Sequence, residues 1–229
     1  MTVDAVCFDL DDTLFDYREY ARAGLREAAN RLETSADIQV HEELLELYFE
    51  KGVTDGTFDR LIDRYDLSPD VVDELVDAYH DATGTLPTYP ETKRVLRRLK
   101  KDYSIGLITD GRGGEGKLDR LGIREYFDAV VVIPSTDYTS KRNTAVFDDI
   151  LSALSHEPTE TMYVGDDPRF DFSAPNELKM YTVRLRRGRF VDLEPETRRD
   201  EPDYEIDRLD ELFDLLETLP SSKETTSPD

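Results

Sequence analysis

The sequence predicts an α/β fold, a doubly wound parallel sheet into which a helical domain is inserted. Three observations predict it. Five short apolar runs of strand length recur along the chain, and helical periodicity fills the stretches between the later ones. A gap of about 95 residues, far longer than one crossover needs, separates the first run from the second.

The first run, VDAVCF at 3–8, is almost continuously apolar, as a strand covered on both faces must be. Amphipathic stretches follow it, REYARAGLREAANRLE and HEELLELYFEKG among them, so residues 17–88 are expected to form a helical insert. Pro90 opens a helix over 91–101, leading into the second strand, SIGLI at 104–108. A helix over 113–121 precedes AVVVI at 129–133, and one over 144–155 precedes TMYV at 161–164. The helix expected over 171–179 contains Pro175, which should shorten or bend it. MYTVRL at 180–185 gives the last expected strand, and 207–217 the last helix. The layout is therefore a Rossmann-like core of residues 1–16 and 89–219, an insert of residues 17–88, and a polar tail, 220–229, expected to be disordered.

Composition narrows the function. The 229 residues hold 29 basic and 52 acidic side chains, a net charge of −23. Leu, Ile, Val and Phe still make up roughly a quarter of the chain, enough for a globular core. So acidic a surface repels phosphate backbones, and no Lys/Arg stripe offsets it, which argues against nucleic acid or a membrane as a partner. A small molecule is expected instead. No apolar run approaches the length of a membrane span, and the acidic N-terminus does not resemble a signal peptide. A lone cysteine, Cys7, fits a cytoplasmic setting. It lies inside the first strand and is expected to be a buried hydrophobe. The 21 Arg against 8 Lys, on a strongly acidic surface, suggest a halophilic protein whose self-repulsion is screened by salt.

Ligands of open α/β sheets gather at the carboxyl ends of the strands, so the residues after each run carry the argument. Asp9 and Asp11 follow the first run, Thr109, Asp110 and Gly111 the second, Lys141 the third, and Asp166, Asp167 and Asp171 the fourth. Asp9, Asp11 and Asp166 offer hard oxygen ligands for Mg²⁺, with Asp171 and Asp167 as supporting partners. The cation would let Asp9 approach a phosphate as nucleophile. Asp11 would protonate the leaving oxygen and later activate water. Thr109, the backbone N–H groups of Asp110 and Gly111, and Lys141 would hold the transferring charge. Asp12 reads as a turn residue, and the arginines at 184, 186, 187 and 189 as one face of an edge strand paired with nearby acids.

These residues resemble the haloacid dehalogenase-like hydrolase superfamily. VCFDLDDTLF resembles its first motif, IGLITDG the second, TSKRNTAVFDDIL the third and MYVGDDPRFD the fourth. The resemblance implies an aspartyl-phosphate mechanism with Asp9 as nucleophile, and a helical cap, here 17–88, that selects the substrate. Arg142 stands where Pro often follows the motif lysine, so that loop is expected to be shaped differently. Asp11 argues against the dehalogenase branch, which lacks this acid. The insert's only lysine, Lys51, argues against phosphonate cleavage through a Schiff base. What remains is a Mg²⁺-dependent phosphatase for a small phosphorylated metabolite. The alternatives are a phosphomutase of the same superfamily and a catalytically silent phosphometabolite-binding protein.

Overall fold

A computed structural model describes residues 3–219; the tail at 220–229 lies outside the described residues. The chain forms two compact units, one from Met1–Asp16 and Pro87–Asp229, the other from Tyr17–Leu86. The second unit thus ends two residues before the expected boundary at 88.

The first unit is built on a six-stranded sheet in the order β3-β2-β1-β4-β5-β6, every adjacent pair parallel. Its strands are β1 (Ala5–Phe8), β2 (Ser104–Thr109), β3 (Ala129–Val132), β4 (Thr161–Gly165), β5 (Tyr181–Leu185) and β6 (Tyr204–Ile206). All four β1 side chains are buried, as the continuous apolar run demands of a strand flanked on both sides and covered on both faces. From β1 the chain first builds outward through β2 and β3, then returns to the other side of β1 for β4. The β1/β4 crevice is therefore the switch point of the sheet, where carboxyl-end loops diverge and leave room for a ligand.

Helices α5 (Thr92–Leu99), α6 (Gly114–Leu121), α7 (Thr144–Leu154), α8 (Ser173–Leu178) and α9 (Leu212–Thr218) complete this unit. Asn143 caps α7 by accepting a hydrogen bond from the Ala145 N–H. The apolar face of α7, including Val146, Phe147 and Ile150, packs with Cys7, Ile108 and Tyr163 of the sheet. Pro175 falls in the first turn of α8, where its missing N–H costs nothing, and the helix is only six residues long, shorter than 171–179.

Two expectations are corrected. A sixth strand, β6, covers β5, so the arginines around 184–189 do not stand on an edge strand. The span 207–217 begins as a 3₁₀ turn at Leu209–Glu211, and α9 starts only at Leu212.

The second unit holds α1 (Tyr17–Ala36), α2 (His41–Leu45), which runs on into a π turn at Glu46–Glu50, α3 (Thr57–Tyr65) and α4 (Asp70–His80). Tyr20, Ala21, Gly24, Leu25, Ala28, Ala29 and Leu32 form the buried stripe of α1, the i, i+4 pattern of a helix packed on one face. Gly24 lets α4 come close: a Cβ there would lie 2.5 Å from the Tyr79 ring, itself edge-on to Tyr20 and Phe58. Helix propensity alone would favour alanine at this position by about 1 kcal/mol. We expect the opposite. Gly24→Ala should lower the unfolding free energy by about 1–3 kcal/mol through overpacking, read from denaturant midpoints in concentrated salt.

Candidate active site

β1 delivers the first loop of the site. Its last hydrogen bond, from the Asp9 N–H to Val164 O, ties the loop to β4. Buried Leu10, Leu14 and Phe15 then anchor a tight turn closed by bonds from Asp12 N to Phe15 O and from Leu14 N to Leu10 O. Asp12 sits in the left-handed region at φ 63, which short polar side chains tolerate better than most. Between these anchors Asp9 and Asp11 are displayed at the carboxyl edge.

Asp9, Lys141, Asp166 and Asp171 meet in the crevice, each at most 5% exposed. The Lys141 ammonium donates to Asp9 Oδ1 and to Asp171 Oδ1, the latter at 2.9 Å. Asp171 is saturated: its Oδ2 accepts the backbone N–H groups of Asp166 and Asp167 at 3.0 and 2.9 Å, and its Oδ1 also accepts the Tyr163 hydroxyl at 3.2 Å. Asp166 differs. Thr13 Oγ1 donates to its Oδ1 at 3.2 Å, but its buried Oδ2 has no hydrogen-bond partner. A buried carboxylate oxygen without a donor is costly unless a cation completes it. Among the described residues, Asp9, Asp166 and Asp171 form the one acidic cluster whose ligand oxygens lie within 4.8 Å of one another. The donor set is hard oxygen and fits Mg²⁺.

Electrostatics says the same. Burial pushes the Asp9 carboxyl up to about 7, with Lys141 opposing and the charges of Asp171 and Asp11 adding to the rise. Burial, with Asp9, Asp171 and Asp12 beside it, pushes Asp166 well above the usual carboxylate range. Burial disfavours the Lys141 charge, yet Asp171 and Asp9 outweigh it and hold the ammonium protonated. Cys7, by contrast, is driven up to about 12 by burial, an inert thiol in the core.

Thr109 ends β2, almost fully buried, and its Oγ1 accepts the Gly111 N–H at 3.2 Å. Burial also raises the Asp110 carboxyl, while the Lys141 backbone N–H donates to it and favours its charge. Asp110 thus ties the β2 loop to the lysine loop. Asp11 is not in the acidic cluster: both its oxygens face Lys117 Nζ, at 2.9 and 2.7 Å. Glycine at 111 leaves room for this pairing, since a Cβ there would lie 2.5 Å from Lys117 Nζ and 2.8 Å from Asp11 Oδ2 and push both ends aside. Asp167 is also outside that cluster and accepts from Arg169 Nε at 3.0 Å and Nη2 at 2.7 Å.

Lys117 went unnoticed in the sequence, and the partners of Arg187, Arg189 and Arg142 were not legible there. Lys117 joins Gly114, Leu118 and Leu121 in the buried stripe of α6, an ammonium in an apolar row, and that placement was its one legible signal. Arg187 donates to Thr13 O and Glu91, and Arg189 to the Asp12 carboxylate, so the loop after β5 clasps the loop after β1. Nothing local in RLRRGR announces those partners. Arg142, where proline was the common alternative, pairs with buried Asp200 at 3.2 Å.

A family profile for haloacid dehalogenase-like hydrolases matches residues 3–178. The chain belongs to that family. A glyceraldehyde 3-phosphate phosphatase of Methanopyrus kandleri is 35% identical to this hydrolase, over 95% of the chain and 98% of the relative. A ribulose-1,5-bisphosphate 5-phosphatase of Halopiger xanaduensis is 29% identical, over 93% and 98%. The magnesium-bound hydrolase YfnB of Bacillus subtilis has the same fold at a TM-score of 0.69 and 18% identity, covering 94% of this chain and 99% of that one.

Asp171→Ala would leave the Lys141 ammonium half-paired and two buried N–H groups without an acceptor. We expect a loss of about 3–5 kcal/mol in unfolding free energy, measured by denaturant titration with EDTA present. Asp9 also makes the metal-free protein pH-sensitive. Its folded-state pKa, near 7, lies above the ordinary value of 3.8, so its stabilising contribution is complete below 3.8 and is lost as pH rises through 7. Between pH 5.5 and 8 the wild type should therefore lose more stability than Asp9→Asn, whose amide does not titrate.

Proposed function

We propose that this hydrolase is a Mg²⁺-dependent phosphatase of a small phosphorylated sugar, working through an aspartyl phosphate on Asp9. The observation that carries the reading is the buried Asp9–Lys141–Asp171 array beside the undonated Asp166 oxygen and Thr109. Both curated relatives named above are phosphatases of phosphorylated sugars, which supports the substrate class.

Asp9 and Asp166 would hold the cation, Asp166 through its undonated Oδ2. Asp171, already saturated, would orient Lys141 and the backbone of the Asp166 loop. Asp11, expected also as a ligand, spends its carboxylate on Lys117 and is assigned to proton transfer alone. When bound, Mg²⁺ neutralises charge on the phosphoryl oxygens and lets an anionic nucleophile approach them.

The protein's own groups then act in order. The Asp9 carboxylate attacks phosphorus, an O–P bond forms, and the ester O–P bond breaks. Asp11, which must enter this step as the carboxylic acid, donates its proton to the departing alkoxide, an assistance that a halide leaving group does not need. Lys141 and Thr109 Oγ1 hold the equatorial oxygens as charge shifts between entering and leaving atoms. Asp11, now a carboxylate, takes a proton from the incoming water, whose oxygen bonds to phosphorus and frees Asp9. The acidic, arginine-rich surface supports work in a salt-rich cytoplasm.

Inorganic phosphate release from glyceraldehyde 3-phosphate and ribulose 1,5-bisphosphate, with Mg²⁺ or EDTA, at low salt and in multimolar KCl, tests this reading. Turnover should require Mg²⁺, and Asp9→Asn should cut kcat at least about 10³-fold while leaving the circular dichroism spectrum unchanged. Persistent Mg²⁺-dependent turnover by that variant would remove Asp9 as nucleophile. Phosphate migration without release marks a mutase, and tight binding with no chemistry a silent binder.

A further inference from the structure

The loop after β5 does more than brace the first motif. Arg189, Phe190 and Phe170 line the same cleft, of about 210 Å³, as Asp9, Thr109 and Lys141. The Phe190 ring carries two guanidiniums, with Arg169 Cζ 4.4 Å and Arg189 Cζ 5.0 Å from its centroid. Each guanidinium is held on one side by a carboxylate, Arg169 by Asp167 and Arg189 by Asp12, and the ring between them keeps both beside the mouth of the cleft.

The placement is constructed rather than incidental. Arg184, completely buried, donates to Phe190 O and Leu193 O and pins the loop from beneath. Arg186 donates to Val191 O at 3.0 Å, and Gly188, at φ +73, lets the loop touch Asp12, where a Cβ would come within 2.4 Å of the Asp12 Cβ. Asp12 and Asp167 fix the orientation of Arg189 and Arg169, whose side chains nonetheless remain 32% and 38% exposed. Oriented, weakly hydrated guanidiniums suit the planar oxygens of a carboxylate and the oxygens of a phosphate.

We propose that Arg189 and Arg169 form a second anion subsite at the rim of the catalytic cleft, so that the protein selects phosphoesters bearing a further anionic group, a carboxylate or a second phosphate. This rests on the phosphatase reading, and it narrows the substrates to doubly anionic ones.

The test separates binding from chemistry. Calorimetric binding to Asp9→Asn protein with Mg²⁺ compares 2-phosphoglycolate with ethyl phosphate, alike but for the carboxylate, and ribulose 1,5-bisphosphate with ribulose 5-phosphate for the phosphate. The doubly anionic member of at least one pair should bind at least tenfold more tightly, and the pair showing the gain identifies the group. In Asp9→Asn combined with Arg169→Gln the advantage should shrink to threefold or less, with Arg189→Lys giving an intermediate value. Arg169 lies outside the clasp on the first motif, so its loss does not disturb Asp12. Equal affinity within both pairs, or an advantage that survives Arg169→Gln, overturns the subsite. In active protein Arg169→Gln should raise KM for the doubly anionic substrate at least tenfold and change turnover of p-nitrophenyl phosphate less than threefold; an equal loss on both would mark a structural role and overturn the proposal. Wild type that binds with the expected preference yet releases no phosphate refutes the phosphatase reading alone.

Discussion

A single ammonium buried among carboxylates governs this site. Lys141 lies in a crevice with Asp9, Asp166 and Asp171, and none of the four can be removed from water singly at a tolerable cost. The neighbours divide that burden unequally. Asp171 takes four donors and thereby holds the lysine and the β4 loop together. Asp166 is left with one oxygen undonated, the position that the proposed cation would fill. A rigid half and an unsatisfied half stand side by side, which is what binding a metal without rearranging the frame requires.

The parallel sheet explains why these groups meet at all. The chain leaves β1, builds one side of the sheet and comes back to the other, so loops distant in sequence open at the β1/β4 crevice. Thr13 and Asp166, 153 residues apart, share a hydrogen bond there. The loop after β5 adds a second layer, with Arg187 on Thr13 O and Arg189 on Asp12. The turn displaying Asp9 and Asp11 is therefore held from its own apolar anchors below and by guanidiniums from the far side of β4. Catalytic geometry needs this double support, because misplacement of a nucleophile by even an ångström costs heavily.

How much was legible in the sequence follows from the range of the interactions. The five apolar strands were readable because burial on both faces forces a continuous run. β6 was not, since Tyr204–Ile206 is three residues long at an exposed edge, where pairing to β5 and no local hydrophobic pattern defines it. Asp9, Thr109, Lys141, Asp166 and Asp171 could be placed because each follows a strand and strand ends converge. The direction of each side chain could not. Asp11 faces Lys117 from another element, and Asp167 faces Arg169, choices made by tertiary neighbours and not by the motif. Lys117 shows the boundary between the two cases: the α6 periodicity predicts its burial, but only the fold supplies the carboxylate that makes burial tolerable.

An anion site on a chain of net charge −23 must be explained locally. At a Debye length of roughly 10 Å in 0.1 M salt, distant carboxylates would still repel an approaching phosphoester; near 1 M salt the length falls to roughly 3 Å and they fall silent. Contacts inside the cleft are screened far less, because little water or salt reaches them. Concentrated salt thus removes the opposition of the surface while sparing the contacts of buried Lys141. The acidic exterior and the buried ammonium of the cleft are then compatible demands on one sequence: the first acts at long range and can be screened away, the second acts at contact and is screened far less.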